Sequence, residues 1–124
     1  MKKAIIILFL VVGAMAQAQN KNAKAVMEVD GVCLMCKARI EKAALNTKGV
    51  KSAVWNVRSH QLSLIFNEGK TNYDSIQANV ARAGHDTKEI KATLEAYNSV
   101  HDCCKYRDEN VVDDHDENDG GKRK

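Results

Sequence analysis

The stretch VMEVDGVCLMC, residues 26–36, joins a short strand-like run to a pair of cysteines, and a helix-like pattern follows at residues 37–46. Cys33 and Cys36 therefore fall where a strand ends and a helix begins. The partial positive charge of a helix N-terminus and a neighbouring cation, Lys37, both favour the thiolate form of cysteine. We predict that this pair binds a soft metal ion or exchanges disulfides.

The start of the chain has the features of a secretory signal peptide. Met1-Lys2-Lys3 precedes an apolar stretch at residues 4–14 that is too short to span a bilayer, and Ala16-Gln17-Ala18 fits a small-x-small cleavage site. We predict that residues 1–18 are removed and that the mature protein is secreted or periplasmic. No second apolar run of membrane length follows, so we expect no membrane span after removal of the signal.

The charge balance argues against a nucleic-acid-binding protein. The chain has 19 basic and 16 acidic side chains, and removal of residues 1–18 takes two lysines away. The resulting net charge of +1 provides no basic surface of the kind that nucleic acids require. The length that remains is sufficient for one domain, which we place at residues 23–92.

The spacing of apolar residues predicts the order strand, helix, strand, strand, helix, strand. The strands fall at about 25–29, 50–57, 62–66 and 85–90, and the helices at about 37–46 and 72–83. This order is that of a ferredoxin-like βαββαβ sandwich. We therefore predict an α+β fold with a four-stranded antiparallel sheet and both helices on one face.

Two further segments follow the predicted domain. Ile90, Leu94, Tyr97, His101 and Cys104 recur at helical spacing, which predicts an appended C-terminal helix over residues 93–106. Seven acidic and no basic residues between 108 and 119 predict a disordered acidic tail over residues 107–124.

The appended helix has the length needed to return its cysteines to the first pair. A helix rises ~1.5 Å per residue and a strand advances ~3.3 Å per residue, so this helix and the final strand both span roughly 20 Å, in opposite directions. The sequence His101-Asp102-Cys103-Cys104 can thus reach the Cys33 end of the domain. Four roles stay open for these cysteines: extra thiolates for the Cys33 and Cys36 site, a second site, a disulfide within or between chains, and an apolar end to the helix.

The chain resembles the heavy-metal-associated domain family, which includes small copper chaperones, mercuric-ion-binding proteins and metal-binding modules of metal-pumping ATPases. The resemblance covers about residues 24–91, and the residues that carry it are Gly31, Cys33, Cys36, Ile40-Glu41, Gly49-Val50 and Gly84. It implies the ferredoxin-like fold and two-thiolate binding of a soft ion by Cys33 and Cys36. The loop departs from the family because only Val32 separates Gly31 from Cys33. His85 occupies a position that faces the metal loop in the family, which implies a hydrogen bond to a thiolate or a third ligand.

We therefore expect a metal-binding protein without enzymatic activity. Soft thiolates select Cu(I) or Hg(II) over hard cations, and Ag(I), Zn(II) and Cd(II) stay open as well. Cys33 and Cys36 are the main candidate ligands, and the further candidates are His85, His101, Cys103 and Cys104. Met35, by contrast, is expected to pack on a neighbour.

The expected role is that of a metallochaperone, scavenger or buffer, most simply for Cu(I). The family implies a membrane metal transporter or another metal-binding domain as partner. One alternative is a thiol-disulfide redox protein that uses the same cysteine pair, although thioredoxin-like enzymes carry a proline facing the active site and this chain contains no proline. The other alternative is an interaction domain stapled by disulfides.

Overall fold

The computed structural model of the protein describes residues 19–118, so the predicted signal peptide and residues 119–124 of the predicted tail lie outside the described residues. The elements are β1 (Ala23–Glu28), α1 (Leu34–Leu45), β2 (Val50–Trp55), β3 (Gln61–Phe66), α2 (Tyr73–Arg82), α3 (Leu94–Asn98), a 3₁₀ turn (Asp102–Cys104) and α4 (Glu109–Asn118). Between residues 19 and 118, no helix has the length and hydrophobicity that crossing a membrane requires.

The three strands form an antiparallel sheet in the order β1-β3-β2. Side chains alternate between the two faces of a strand, and Leu62, Leu64 and Phe66 on the central strand all point into the core. Helix α1 packs against β2 and α2 over this face. Trp55 fills the end of the core near the first cysteine loop, where its indole N–H donates to the carbonyl of Val29 at 3.0 Å. The prediction of an α+β, ferredoxin-like domain is confirmed.

The prediction of a fourth strand at residues 85–90 was wrong. The segment makes one isolated antiparallel bridge, between Val29 and Thr87, and the Asp86 carbonyl accepts from the N–H of Asp30 at 2.8 Å. Beyond the bridge, the Thr87 N–H donates to the Ile90 carbonyl at 2.8 Å, which closes a turn instead of extending the sheet. The segment therefore lies beside the end of β1, where a fourth strand was expected, without forming one.

The segment after this turn is not the single helix predicted over residues 93–106. Helix α3 is short and begins at Thr93, whose side chain accepts from the N–H of Ala96 at 3.1 Å. It ends at Ser99, whose hydroxyl donates to the Ala96 carbonyl at 2.6 Å. The chain then turns, and this turn buries both Val100 and Cys104.

The prediction of a disordered tail was wrong for residues 109–118, which form α4. Val111 and Val112 are partly buried against the core and anchor this helix. Asp108 precedes the helix and accepts from the N–H of Asn110 at 3.0 Å, at a helix end where negative charge is favourable. The high content of acidic residues led to the prediction of disorder, although Val111 and Val112 form a short apolar contact with the core.

A buried carboxylate attaches the part of the chain after residue 92, which we call the C-terminal extension, to the domain. Asp86, 5% exposed, accepts from the Arg107 guanidinium at 2.7 and 3.2 Å and from the N–H of Ala92 at 2.7 Å. Burial by itself raises the pKa of Asp86, but these donors outweigh burial and hold the pKa below its usual value. Tyr106 adds a second attachment, because its hydroxyl donates to the Gly84 carbonyl at 2.8 Å and accepts from the Asp86 N–H at 2.9 Å.

Gly84 is where the extension comes closest to the domain. Its φ of +106° is favoured only for glycine, and a Cβ added there would lie 2.5 Å from both the Ala96 carbonyl oxygen and a methyl group of Val100. Helix α3 and the residue after its end thus pack directly on the glycine backbone.

Replacing this glycine tests how closely the extension is packed. Gly84→Ala should destabilise the protein by roughly 2–4 kcal/mol, because it adds a strained φ to an overpacked contact. Thermal unfolding followed by circular dichroism measures the loss. Gly69→Ala is the control, since Gly69 has no positive φ and a Cβ there would meet only the ends of the Asn67 and Gln19 side chains within 3.5 Å. Equal melting temperatures for the two variants would contradict the packing argument.

Candidate metal centre

The first two cysteines lie at the start of α1 and face each other. Cys33 is the N-cap residue of the helix, with extended backbone, and Cys36 is buried in the first turn. Residues three apart share one side of a helix, which places the two Sγ atoms 3.5 Å apart. The N–H of Val32 donates to the Cys36 sulfur at 3.4 Å and fixes the inner thiol.

The C-terminal extension brings two more thiols to this pair. Cys33 Sγ lies 3.7 Å from Cys103 Sγ and 3.7 Å from Cys104 Sγ. These three sulfurs all lie within 4.8 Å of one another, and Cys36 joins them through Cys33. We call Cys33, Cys36, Cys103 and Cys104 the four-cysteine cluster. No disulfide joins any of the four, and the structure thus places together all the cysteines that the sequence offered as ligands.

The cluster has an inner and an outer side. Cys36 and Cys104 are 0% and 1% exposed, whereas Cys33 and Cys103 are partly exposed. Among the described residues, the partly exposed Cys33 and Cys103 give a metal ion access to the cluster from the outer side.

The four thiols differ in acidity. Burial raises the pKa of Cys33, but the Cys36 backbone N–H and the thiols of Cys36, Cys103 and Cys104 donate to its sulfur and bring the pKa below its usual value. Burial raises the pKa of each of the other three thiols. The neighbouring thiol of Cys33 raises the pKa of Cys103 further, and those of Cys36 and Cys33 raise the pKa of Cys104 further. Cys33 is therefore the thiol that ionises first.

Lys37, which we expected to favour the Cys33 thiolate as a neighbouring cation, is engaged by other partners. The Lys37 ammonium pairs with Glu41 and donates to the Trp55 carbonyl at 3.0 Å. Hydrogen bonds within the cluster lower the pKa of Cys33 instead.

The structure does not bring the two candidate histidines into the cluster. His85 is fully buried, and its Nδ1 lies 2.8 Å from the carbonyl oxygen of Asp30. Because a carbonyl only accepts, Nδ1 carries the proton, and Nε2 is an acceptor without a hydrogen-bond partner in the structure. The ring stacks on Tyr106, with 5.5 Å between centroids. His85 thus supports the residue before the Gly31 loop, while His101 is exposed and its carbonyl accepts from the N–H of Cys104.

Two further side chains lie beside the cluster: Met35, which we expected to pack on a neighbour, and His115, which was not among the candidate ligands. Met35 Sδ lies 3.3 Å from Cys103 Sγ, and His115 Nε2 lies 3.2 Å from the Cys103 carbonyl oxygen. Both line an open groove of about 490 Å³, together with Val32, Cys33, Leu34, Val57 and Cys103. Two features of the sequence could have indicated these positions. Met35 lies between the two cysteines, and Val111 and His115 are four residues apart, which places them on one side of a helix.

The acidity of Cys33 predicts which thiol is alkylated first. Brief treatment of the reduced protein with iodoacetamide at pH 7 should label Cys33 ahead of Cys103, because the thiolate is the reacting form and both side chains are accessible. Peptide mapping by mass spectrometry identifies the labelled site. In Cys33→Ser, total labelling should slow, and preferential labelling of Cys103 in the unmodified protein would contradict the assignment.

The burial of His85 predicts a loss of stability in mild acid. Burial lowers the pKa of His85 to about 4, whereas histidine in an unfolded chain titrates near ~6.5. Between these values the unfolded state binds more protons, so the free energy of unfolding should fall by roughly 1–3 kcal/mol as the pH drops through this window. Urea unfolding at several pH values measures the fall.

A matched pair of variants isolates the contribution of this histidine. His85→Gln removes the titrating ring and should flatten the pH profile, whereas His101→Gln changes an exposed histidine and should leave it as in the unmodified protein. Parallel profiles for the two variants would show that His85 is not the cause.

The described fold is similar to solved structures of copper proteins. The CopZ metallochaperone is 27% identical, with a TM-score of 0.51, and the match covers 52% of this chain and 98% of that one. The N-terminal domain of a potential copper-translocating P-type ATPase from Bacillus subtilis, solved in the Cu(I)-loaded state, is 25% identical, with a TM-score of 0.51 and coverage of 54% and 85%. A copper binding domain from HMA7, a P-type ATPase, is 23% identical with the same score and coverage of 52% and 89%, which shows the fold alone.

No family model and no curated protein matches the chain. Several residues on which the resemblance rested lie at junctions between elements of the described fold. Cys33 and Cys36 lie at the start of α1, Gly49 directly precedes β2, and Gly84 follows α2, and both glycines adopt positive φ. The predicted resemblance is confirmed, because the described fold is similar to that of a metallochaperone and of the N-terminal domain of a potential copper-translocating P-type ATPase.

Proposed function

We propose that this protein binds Cu(I) through the four-cysteine cluster and holds it as a scavenger or buffer. The observation that carries the proposal is the approach of Cys103 and Cys104 to within 3.7 Å of the Cys33 sulfur. A half-buried group of four thiols with an accessible side is a set of soft ligands, and soft ligands select Cu(I) over hard cations. The solved structures that resemble the domain, at 25–27% identity, include a metallochaperone and a Cu(I)-loaded ATPase domain, which supports copper as the ion.

The covered site favours retention of the ion over rapid transfer. A carrier needs an exposed site with few ligands, whereas here Cys36 and Cys104 are fully buried. Additional preorganised thiolates raise affinity and slow exchange. Delivery as a metallochaperone therefore requires that a partner first reach the outer side of the cluster, and a membrane metal transporter or another metal-binding domain would suit that role.

We place this function outside the cytoplasm and expect binding without catalysis. The location rests on the signal-like residues 1–18, since a secretory signal directs the mature chain to a secreted or periplasmic setting. That setting favours disulfides, and a bound soft ion would keep the thiols from oxidation.

The 3.5 Å contact between the Cys33 and Cys36 sulfurs also favours a second function, thiol-disulfide exchange. In this reading Cys33, the more acidic thiol, attacks a substrate disulfide and Cys36 resolves the mixed disulfide. Turnover of a test disulfide by the metal-free protein would support it, whereas copper retention without turnover supports the binding protein.

Copper affinity in cysteine variants tests the main proposal. Under anaerobic conditions, the reduced protein should compete for Cu(I) with a chromophoric chelator. The Cys33→Ser/Cys36→Ser double variant should lose tight binding, and the Cys103→Ser/Cys104→Ser double variant should bind about tenfold or more weakly, because preorganised ligands are lost. Far-ultraviolet circular dichroism checks that both variants fold.

Two results with these variants would contradict the proposal. If the first double variant held Cu(I) as tightly as the unmodified protein, the cluster would not be the site. If the second double variant matched the unmodified protein, Cys103 and Cys104 would serve another purpose, and the site would reduce to two thiolates.

A further inference from the structure

The four-cysteine cluster is arranged around one sulfur. Cys33 Sγ lies 3.5 Å from Cys36 Sγ, 3.7 Å from Cys103 Sγ and 3.7 Å from Cys104 Sγ. Cys33, Cys103 and Cys104 form a mutually close set, and on the buried side the Cys104 thiol also interacts with that of Cys36. The cluster therefore consists of an inner and an outer group that share Cys33.

The outer group contains a fifth sulfur. The Cys103 thiol lies 3.3 Å from the thioether of Met35, which is 51% exposed in the groove of about 490 Å³. A thioether is a neutral soft ligand that suits Cu(I). Cys33, Cys103 and Met35 thus form a second set of soft ligands on the accessible side, distinct from the buried sulfurs of Cys36 and Cys104.

We propose that the cluster holds two Cu(I) ions in one chain, with the Cys33 thiolate bridging them. The inner ion would lie between Cys33 and Cys36 with Cys104 beside it, and the outer ion would lie between Cys33, Cys103 and Met35. The inference rests on the proposed function and deepens it from a copper site to a dinuclear copper-thiolate centre.

The number of ligands favours the second ion. The four thiols and the Met35 thioether together offer five sulfurs, which is more than a single Cu(I) ion binds. Met35 is a neutral soft ligand, so the outer ion gains a third sulfur without an added charge. Copper enters and leaves as Cu(I), and no electron transfer is involved.

Copper stoichiometry in the full chain tests the proposal. Anaerobic titration of the reduced protein with Cu(I), followed by elemental analysis after gel filtration, should give two ions per chain. X-ray absorption should show a copper–copper distance in addition to sulfur neighbours, and sedimentation should show a monomer.

Single substitutions separate the two ions. Cys36→Ser and Cys103→Ser should each retain one ion, whereas Cys33→Ser should lose the copper–copper signal and bind neither ion tightly. Met35→Leu keeps the volume of the side chain and should weaken the outer ion about tenfold while leaving the inner ion unchanged. Leu34→Ala is the control, because Leu34 lines the same groove, is 74% exposed and carries no sulfur.

Several results would overturn the inference, and they differ from those that overturn copper binding itself. One ion per chain with sulfur neighbours alone would reject the dinuclear centre and leave the proposed function intact. Failure to hold any Cu(I) against the chelator would reject both. A copper-bridged dimer in sedimentation would reject a centre within one chain, and a Cys33→Ser variant that kept both ions would reject the bridge.

Discussion

The buried side chain and backbone of Asp86 connect the two parts of the chain that supply the thiols. Its carbonyl accepts from the N–H of Asp30, directly before the first cysteine loop, and its carboxylate binds Arg107, three residues after Cys104. An ion pair of this kind adds little net stability when complete, but loss of one partner leaves a buried charge uncompensated, which costs roughly 3–5 kcal/mol. The ion pair therefore contributes less to overall stability than to the relative position of the two segments. It holds two segments far apart in sequence in one geometry, and the distances in the four-cysteine cluster depend on it.

Much of the fold was predictable because its elements are strongly periodic. The alternation of Leu62, Leu64 and Phe66 and the helical stripe in α2 follow directly from which face each element buries. The failures share a different cause. Thr87 folds its segment into a turn through its own hydroxyl and backbone, and Ser99 ends α3 by donating to Ala96. In both places a short polar side chain competes with regular backbone hydrogen bonding. The spacing of apolar residues does not predict this competition.

The site was predictable to the extent that it depends on lengths and ligand chemistry. Matching the length of the predicted appended helix to that of the predicted final strand placed Cys103 and Cys104 at the correct end of the domain, although neither element forms as predicted. Tyr106 and Arg107 were missed, and Met35 was expected only to pack on a neighbour, because their contacts exist only in the folded protein. The Met35 thioether lies beside Cys103, the Tyr106 hydroxyl donates to the Gly84 carbonyl, and the Arg107 guanidinium binds Asp86. The orientation of His85 likewise depends on which carbonyl its ring reaches, and sequence alone does not reveal that partner.

The separation of the thiols along the chain has a further consequence. Cys33 and Cys103 are 70 residues apart, yet their sulfurs lie 3.7 Å apart. An ion held by both would act as a reversible cross-link that closes almost the whole domain into one loop. For a covalent cross-link of that span, the chain-entropy model gives an upper bound of about 4 kcal/mol from the restricted unfolded state. Loading would thus resist unfolding and digestion by proteases, while the empty chain would be the more easily degraded form. The bound ion would then lengthen the lifetime of the protein that holds it.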